Sequence, residues 1–227
     1  MCMIFSGGNH MKRFRSILCM ACVCLFLLSA SIGLPIYIRP FYYAHIDACD
    51  LARISGYSEE QIREAYDQVL DYLTLPGREF GTGALPHSEA GKAHFADCKA
   101  LFDLNAMLLI GSGLVLLLLF AMRKKWGAYR LGRHSALFWA AVLSLAAPMI
   151  IGILAAMDFD RAFVIFHSLF FPGKSNWIFD WYADPIIRVL PQEFFRNCAI
   201  LIGVGLVAMA VGILVWDGIQ NNRRGDS

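Results

Sequence analysis

A lone histidine inside an apolar run is the first place in this sequence where chemistry is available. His167 stands between Phe166 and Ser168, followed by Leu169, Phe170 and Phe171, and Pro172-Gly173 ends the run. An imidazole takes up and releases protons near neutral pH, which suits it to general acid–base work. Among apolar groups it needs a polar partner, because an unpaired buried polar group costs about 1–3 kcal/mol. A structural ring bonded to a backbone carbonyl meets that need as well as a catalytic one does. His94 is the second candidate, with Asp97 and Lys99 close behind it. On a helix, positions 94 and 97 share a face, so a carboxylate can orient the imidazole as in the base-plus-orienter pairs of acyl-transfer sites. A solvated helix face with an incidental histidine gives the same pattern. Asp97 and Lys99 would serve equally well as charges flanking a membrane span.

Other groups add less. His45 and His87 lie in the same stretch of chain as His94, and Asp180, Asp184 and Glu193 follow His167. Two histidines with carboxylates are a weak metal signal, because no tight ligand spacing such as HExxH is present. No GxSxG elbow and no P-loop occur. Cys98 sits beside His94, but a lone cysteine reads as packing, as does the Cys22-x-Cys24 pair in an apolar run. Cys49 and Cys98 form a possible disulfide. No basic groove interleaved with aromatics is present, so nucleic acid is not an expected partner.

The elements that must position these residues are membrane helices. Only 17% of the 227 residues are charged, and 58% are hydrophobic; a soluble domain carries about a quarter charged. Four stretches hold no Asp, Glu, Lys or Arg: residues 17–38, 104–122, 136–157 and 198–216. Each is long enough to cross about 30 Å of hydrocarbon at 1.5 Å per residue. All 20 basic and all 18 acidic residues fall outside them. The expected fold class is an all-α membrane protein, a single membrane domain over 1–227 with four transmembrane helices. Outer segments 39–103 and 158–197 are expected to form a small cap at the outer membrane surface. Lys12, Arg13 and Arg15 precede the first span, and loop 123–135 carries Arg123, Lys124, Lys125, Arg130 and Arg133 without an acid. The positive-inside rule then gives N-in and C-in, with both outer segments extracytoplasmic. The N-terminal run resembles a signal peptide but is long for one, and it reads as an uncleaved first helix.

Within the first outer segment, Ser58-x-x-Gln61 is a capping-box pattern, and Ile62, Ala65, Tyr66, Val69 and Leu73 follow at helical spacing. This predicts an amphipathic helix over 59–73, stopped by Leu75-Pro76-Gly77, and a second helix over 88–103 leading into the second span. In the other outer segment, 163–171 is too short to span; with Trp177, Trp181 and Tyr182 it is expected to lie at the bilayer interface. The tail 221–227 is polar and predicted to be disordered.

His94-Phe95-Ala96-Asp97-Cys98-Lys99 resembles the His-Met-x-Asp-Val-Lys signature of the lipoprotein intramolecular transacylase family. Phe166-His167-Ser168-Leu169-Phe170-Phe171, then Trp177, Asp180, Asp184, Pro191 and Phe194-Phe195, resembles that family's second outer motif. Four spans, the same two outer segments and a Tyr-rich helix at 57–72 extend the likeness over nearly the whole chain. Trp181 stands where a proline is usual and Pro185 where a leucine is usual, so the backbone of 180–186 departs from the pattern. The resemblance implies an acyltransferase of the cell membrane that acts on diacylglyceryl-modified lipoproteins among membrane lipids. The acyl chain leaves the glyceryl sn-2 position for the α-amine of the N-terminal cysteine, giving the lyso-form, with no cofactor and no metal. It implies His94 and His167 as the catalytic pair, with Asp97, Lys99, Trp177, Asp180 and Asp184 in support and Phe166, Phe170 and Phe171 as acyl-pocket walls. The sequence leaves the oligomeric state open, with a monomer plausible. A metal-dependent membrane hydrolase of lipid or peptide and a non-enzymatic outward-facing sensor or partner are the alternative readings.

Overall fold

The computed structural model describes residues 7–126 and 129–225; Cys2 lies outside them. In chain order the elements are α1 (Gly7–Tyr37), α2 (Arg39–Ala48), α3 (Leu51–Ser55), α4 (Glu59–Thr74), α5 (Glu89–Ala121) and α6 (Arg123–Trp126). A two-residue hairpin follows, β1 (Arg130–Leu131) with β2 (His134–Ser135). The chain continues through α7 (Ala136–Met157), α8 (Phe159–Phe170), α9 (Ile186–Val189) and α10 (Gln192–Gly225). Four of these, α1, α5, α7 and α10, are long and apolar enough to cross a membrane. α7 coincides with the third charge-free stretch. α1, α5 and α10 outrun theirs, because polar residues that cannot sit in hydrocarbon can still continue a helix beyond it.

Contacts divide the chain into two compact units, the first formed by residues 1–32, 106–151 and 202–227 and the second by 33–105 and 152–201. In the first unit Cys19, Val23 and Leu27 of α1 pack with Leu119 of α5, Ala136 and Ala140 of α7, and Leu206 of α10. Small side chains at fully buried positions, Ala136, Ala140 and Ala210, let helices approach closely where hydrophobicity itself gives no preference for protein over lipid. The opposite faces expose large apolar groups, among them Leu117, Leu118 and Phe120 of α5 and Ile150, Ile151 and Leu154 of α7. Hydrocarbon is the solvent in which such surfaces carry no cost. The hairpin is pinned to α10 by Asp217, whose Oδ1 accepts the Ser135 N–H at 3.1 Å. Arg130 donates to the Asn221 side chain at 3.0 Å. The tail predicted to be disordered is therefore helical through Gly225, held by these bonds. The small strand pair lies in the loop between the second and third spans.

The second unit is built around α4. Its capping box forms reciprocally between Ser58 and Gln61, and Ile62, Ala65, Tyr66, Val69, Leu70 and Leu73 are all buried on one face. Tyr66 stacks on Tyr42 of α2 with centroids 3.7 Å apart, and the Tyr42 hydroxyl donates to the Val189 carbonyl of α9 at 2.6 Å. Arg39 pairs with both Asp67 and Asp71, tying α2 to the outer face of α4. Gly77, after the helix stop, takes φ +70°, a conformation that glycine adopts at no steric cost. The predicted lead-in helix and the second span are one unbroken element, α5, of 33 residues. At 1.5 Å per residue it is about 50 Å long, well beyond the thickness of hydrocarbon. Its polar N-terminal turns carry His94, Asp97 and Lys99.

Candidate active site

The two candidate histidines come together in the second unit. His94 on α5 and His167 on α8 have ring centroids 5.8 Å apart, and both are buried, at 5% and 7% exposure. α8 begins at Asp158, whose carboxylate caps the helix by accepting the Arg161 N–H at 3.0 Å. His167 is its one buried residue; Val164, Ile165, Phe166, Leu169 and Phe170 are exposed. Such an amphipathic helix exposes an apolar face and turns its one imidazole into the protein.

His167 bonds through Nδ1 to the Phe163 carbonyl at 2.7 Å. A carbonyl only accepts, so Nδ1 carries the proton and Nε2 keeps its lone pair. Burial holds this imidazole below its usual range, partly offset by the Phe163 bond, so the ring is neutral at pH 7. Trp177 stacks on it with centroids 4.6 Å apart, and the indole is fixed by donating to the Lys174 carbonyl at 3.1 Å. His94 packs against Phe171 at 5.0 Å and Phe179 at 5.4 Å. Its Nε2 lies 3.4 Å from the Cys98 thiol one turn along α5. Its Nδ1 is buried with no hydrogen-bond partner among the described residues. An unpartnered buried ring nitrogen is costly and marks a place where a ligand would gain a bond.

The supporting residues separate by what they touch. Asp97 does not orient the His94 ring as the shared helix face suggested: its carboxylate accepts from Lys174 and, at 3.0 Å, from the Asn176 amide. Two donors on the 172–177 loop outcompete a ring one turn back on the same helix. The result fixes that loop, which also carries Trp177. Lys99 reaches away from the histidines and caps the C-terminus of α4, donating to the Tyr72 carbonyl at 2.7 Å, where a cation also complements the helix dipole. Asp180 is exposed and folds its own turn, accepting the Tyr182 and Ala183 N–H groups at 2.8 Å each; these bonds hold its carboxyl below the usual carboxylate range. Asp184 is buried at 3% exposure and receives both the N–H and the hydroxyl of Ser88, the residue that opens α5. Phe171 is buried in the wall beside both imidazoles, whereas Phe166 and Phe170 are about half exposed. Cys49 and Cys98 are both free thiols.

Sequence reasoning missed Lys174 and Asn176, which hold Asp97, and Ser88 and Phe179, which frame the start of α5. Ser88 before Glu89 carried an N-cap signal; nothing local marked the others. His45 is a structural ring, bonded to the Phe41 carbonyl and to Asn197, and His87 contacts Thr82. Among the described residues, no three His, Cys, Asp or Glu side chains gather in a way that could hold a metal ion.

Four apolar helices, with two close imidazoles in a unit built from the segments between them, define an integral membrane protein that carries the groups of an acid–base site. The family model described as "Lipoprotein intramolecular transacylase Lit" matches residues 17–195. The chain belongs to the lipoprotein intramolecular transacylase family, whose members are acyltransferases of lipoprotein maturation. The fold is similar to that of the membrane-integral lipoprotein intramolecular transacylase Lit from Bacillus cereus, with TM-score 0.86 and 22% identity over 96% of this chain and 100% of that one. A second Bacillus cereus structure, bearing a histidine-to-alanine substitution, matches with TM-score 0.79 and 21% identity over 96% of this chain and 97% of that one. A curated relative from Aquifex aeolicus (strain VF5), described as an uncharacterized protein, is 27% identical over 93 residues. That match spans 39% of this chain and 42% of the relative.

Proposed function

We propose that this chain moves the sn-2 acyl chain of a diacylglyceryl-modified lipoprotein onto the α-amine of its N-terminal cysteine, leaving the lyso-form. The observation that carries the reading is the pair of buried imidazoles 5.8 Å apart, one of them with an unpartnered nitrogen. Donor ester and acceptor amine belong to one molecule, so holding them together supplies much of the barrier reduction.

The chemistry then needs only proton management. The α-ammonium loses a proton, and its nitrogen attacks the ester carbonyl carbon. The adduct nitrogen gives up a second proton, the oxyanion collapses and the bond to the sn-2 oxygen breaks; that oxygen takes one of the two protons, and the other leaves through the base to solvent. An ester becomes an amide, and no acyl-enzyme is required. His167, with its proton fixed on Nδ1 by Phe163, presents Nε2 as the base. Cys98 can donate its thiol proton to Nε2 of His94, which leaves the His94 proton on the unpartnered Nδ1. That N–H is the donor to the oxyanion or the leaving oxygen. Phe171 and the half-exposed Phe166 and Phe170 line the acyl chains, and Trp177 fixes the His167 ring. Asp97, Asp180, Asp184 and Lys99 act as positioning residues. The clustering of Lys and Arg before the first span and in loop 123–135 supports an N-in, C-in orientation with the histidines extracytoplasmic.

Mass spectrometry of a lipoprotein N-terminus, with and without this protein, tests the reading. An acyl group moved from glyceryl oxygen to the amine at constant acyl count is expected. A net loss of one acyl group would point to a hydrolase, and an unchanged lipoprotein to a non-enzymatic role.

A further inference from the structure

The first unit contains an apolar crevice of about 640 Å³ between α1, α5, the chain from Arg123 to the start of α7, and the end of α10. Val23 and Phe26 of α1 and Leu116 and Phe120 of α5 line its length. Arg123 and Arg130 stand at the end near the basic loop. All of its lining residues lie in the first unit, so the histidine site of the second unit does not account for it.

The charge at this end is available to a ligand. Arg123 is exposed and has no ion-pair partner among the described residues. Arg130 is held in place by the Asn221 side chain and the Arg133 carbonyl, neither of which neutralises it. The one carboxylate lining the crevice, Asp217, is committed elsewhere. It is 2% exposed and takes the Ser135 N–H, the Asn221 amide and a 2.9 Å contact with His134. Lys124, Lys125 and Arg133 add to the positive field, and no acid lies in 123–135.

An apolar slot between membrane-crossing helices, with uncompensated guanidinium groups among its lining, matches the chemistry of a phospholipid: acyl chain inside, phosphate at the rim. A volume of this size lies within the range of about 300–1,000 Å³ typical of small-ligand sites. A zwitterionic lipid brings its own cation to the phosphate and gains less from two arginines than an anionic one does. We propose that this crevice binds an anionic phospholipid from the leaflet at the basic-loop end, its phosphate against Arg123 and Arg130 and one acyl chain along Val23, Phe26, Leu116 and Phe120.

The test is native mass spectrometry of the full chain, equilibrated with equal amounts of phosphatidylglycerol and phosphatidylcholine and then stripped with detergent. Phosphatidylglycerol should be retained preferentially, by about fivefold for each arginine engaged. The R123Q/R130Q variant should lose that preference, and R123K/R130K should keep most of it. Thermal unfolding in the same detergent shows whether each variant is folded. Equal retention of the two lipids by the unsubstituted chain would overturn the proposal. So would a preference that survives in a folded R123Q/R130Q protein, or a lysine variant that fails as completely as the glutamine one. Displacement of phosphatidylglycerol by inorganic phosphate alone would reveal a plain anion site and overturn it equally.

Discussion

Asp184 grips Ser88 with both carboxylate oxygens, one accepting the backbone N–H at 2.7 Å and the other the hydroxyl at 2.8 Å. The Ser88 hydroxyl oxygen in turn accepts the Gly91 N–H at 2.9 Å, so a residue far along the chain completes the N-cap of the helix that carries His94. The negative charge also sits at the favourable end of the α5 dipole. Gly91 belongs to the same arrangement: a Cβ there would run into the Asp184 Oδ1 and lie 3.1 Å from the Phe179 ring. A side chain there would have to push the Asp184 carboxylate off Ser88.

This clamp yields the first prediction. Asp184→Ala leaves two donors of Ser88 unpaired in a half-buried place and should destabilise the protein by about 1–3 kcal/mol. Asp184→Asn keeps one acceptor and should cost less, while Gly91→Ala should lower stability by displacing the carboxylate. Thermal unfolding in detergent together with kcat/KM measures both effects. An Asp184→Ala protein that unfolds at the wild-type midpoint would remove the clamp from the account.

His94→Ala and His167→Ala should each lower lyso-form production by about 10²–10⁴-fold, the usual worth of a positioned acid or base. Neither should prevent insertion or folding, since both rings border the site rather than the core around α4. A lipoprotein mass assay on purified variants reads the loss. Wild-type turnover in either variant would exclude that histidine from the proton transfers.

The pH response follows from burial of His167. Its folded-state proton affinity is held below the ordinary imidazole value of about 6.5, so the unfolded chain binds the proton more readily. Stability from this group is therefore complete above about pH 6.5 and is lost as pH falls through the lower folded-state value. Activity should follow the same sign, steady at and above neutrality and declining in acid as Nε2 is protonated. A rate that rises from pH 7 to pH 5 would contradict a His167 base.

Cys98 offers a sharp contrast between packing and nucleophilic roles. Its thiol touches His94 at 3.4 Å, as a catalytic cysteine would touch its base, yet the motif it resembles has valine there. Cys98→Val is close to volume-conserving, and its stability cost should stay under about 1.5 kcal/mol; it removes the thiol bond to His94 Nε2 but leaves the imidazole able to carry its proton on Nδ1, so activity should be largely kept. Loss of activity on the scale of the histidine variants, in a folded protein, would instead make the thiol a participant.

Much of the fold was legible because the governing rules are local. Charge-free runs of 19 residues or more announced the four membrane helices, and Ser58 with Gln61 announced α4 together with the face it would bury. The two motifs containing His94 and His167 announced the family. The rest depended on partners that are distant in sequence. Asp97 was expected to serve His94 and instead holds Lys174 and Asn176, because the folded loop delivers two donors where helix geometry alone offered one ring. The tail was expected to be disordered and is helical through Gly225, because Asp217 and Asn221 find the hairpin at 130–135.

By itself, the sequence determined that this chain lives in a bilayer, where its helices run and which two imidazoles to watch, since hydropathy, helical period and motif spacing are properties of a single stretch. Tertiary structure alone decided that those imidazoles lie 5.8 Å apart, that Asp184 seats the start of α5, and that one nitrogen of His94 is left without a partner. Those facts depend on which side chains reach each other after folding, and no single stretch contains both members of such a pair.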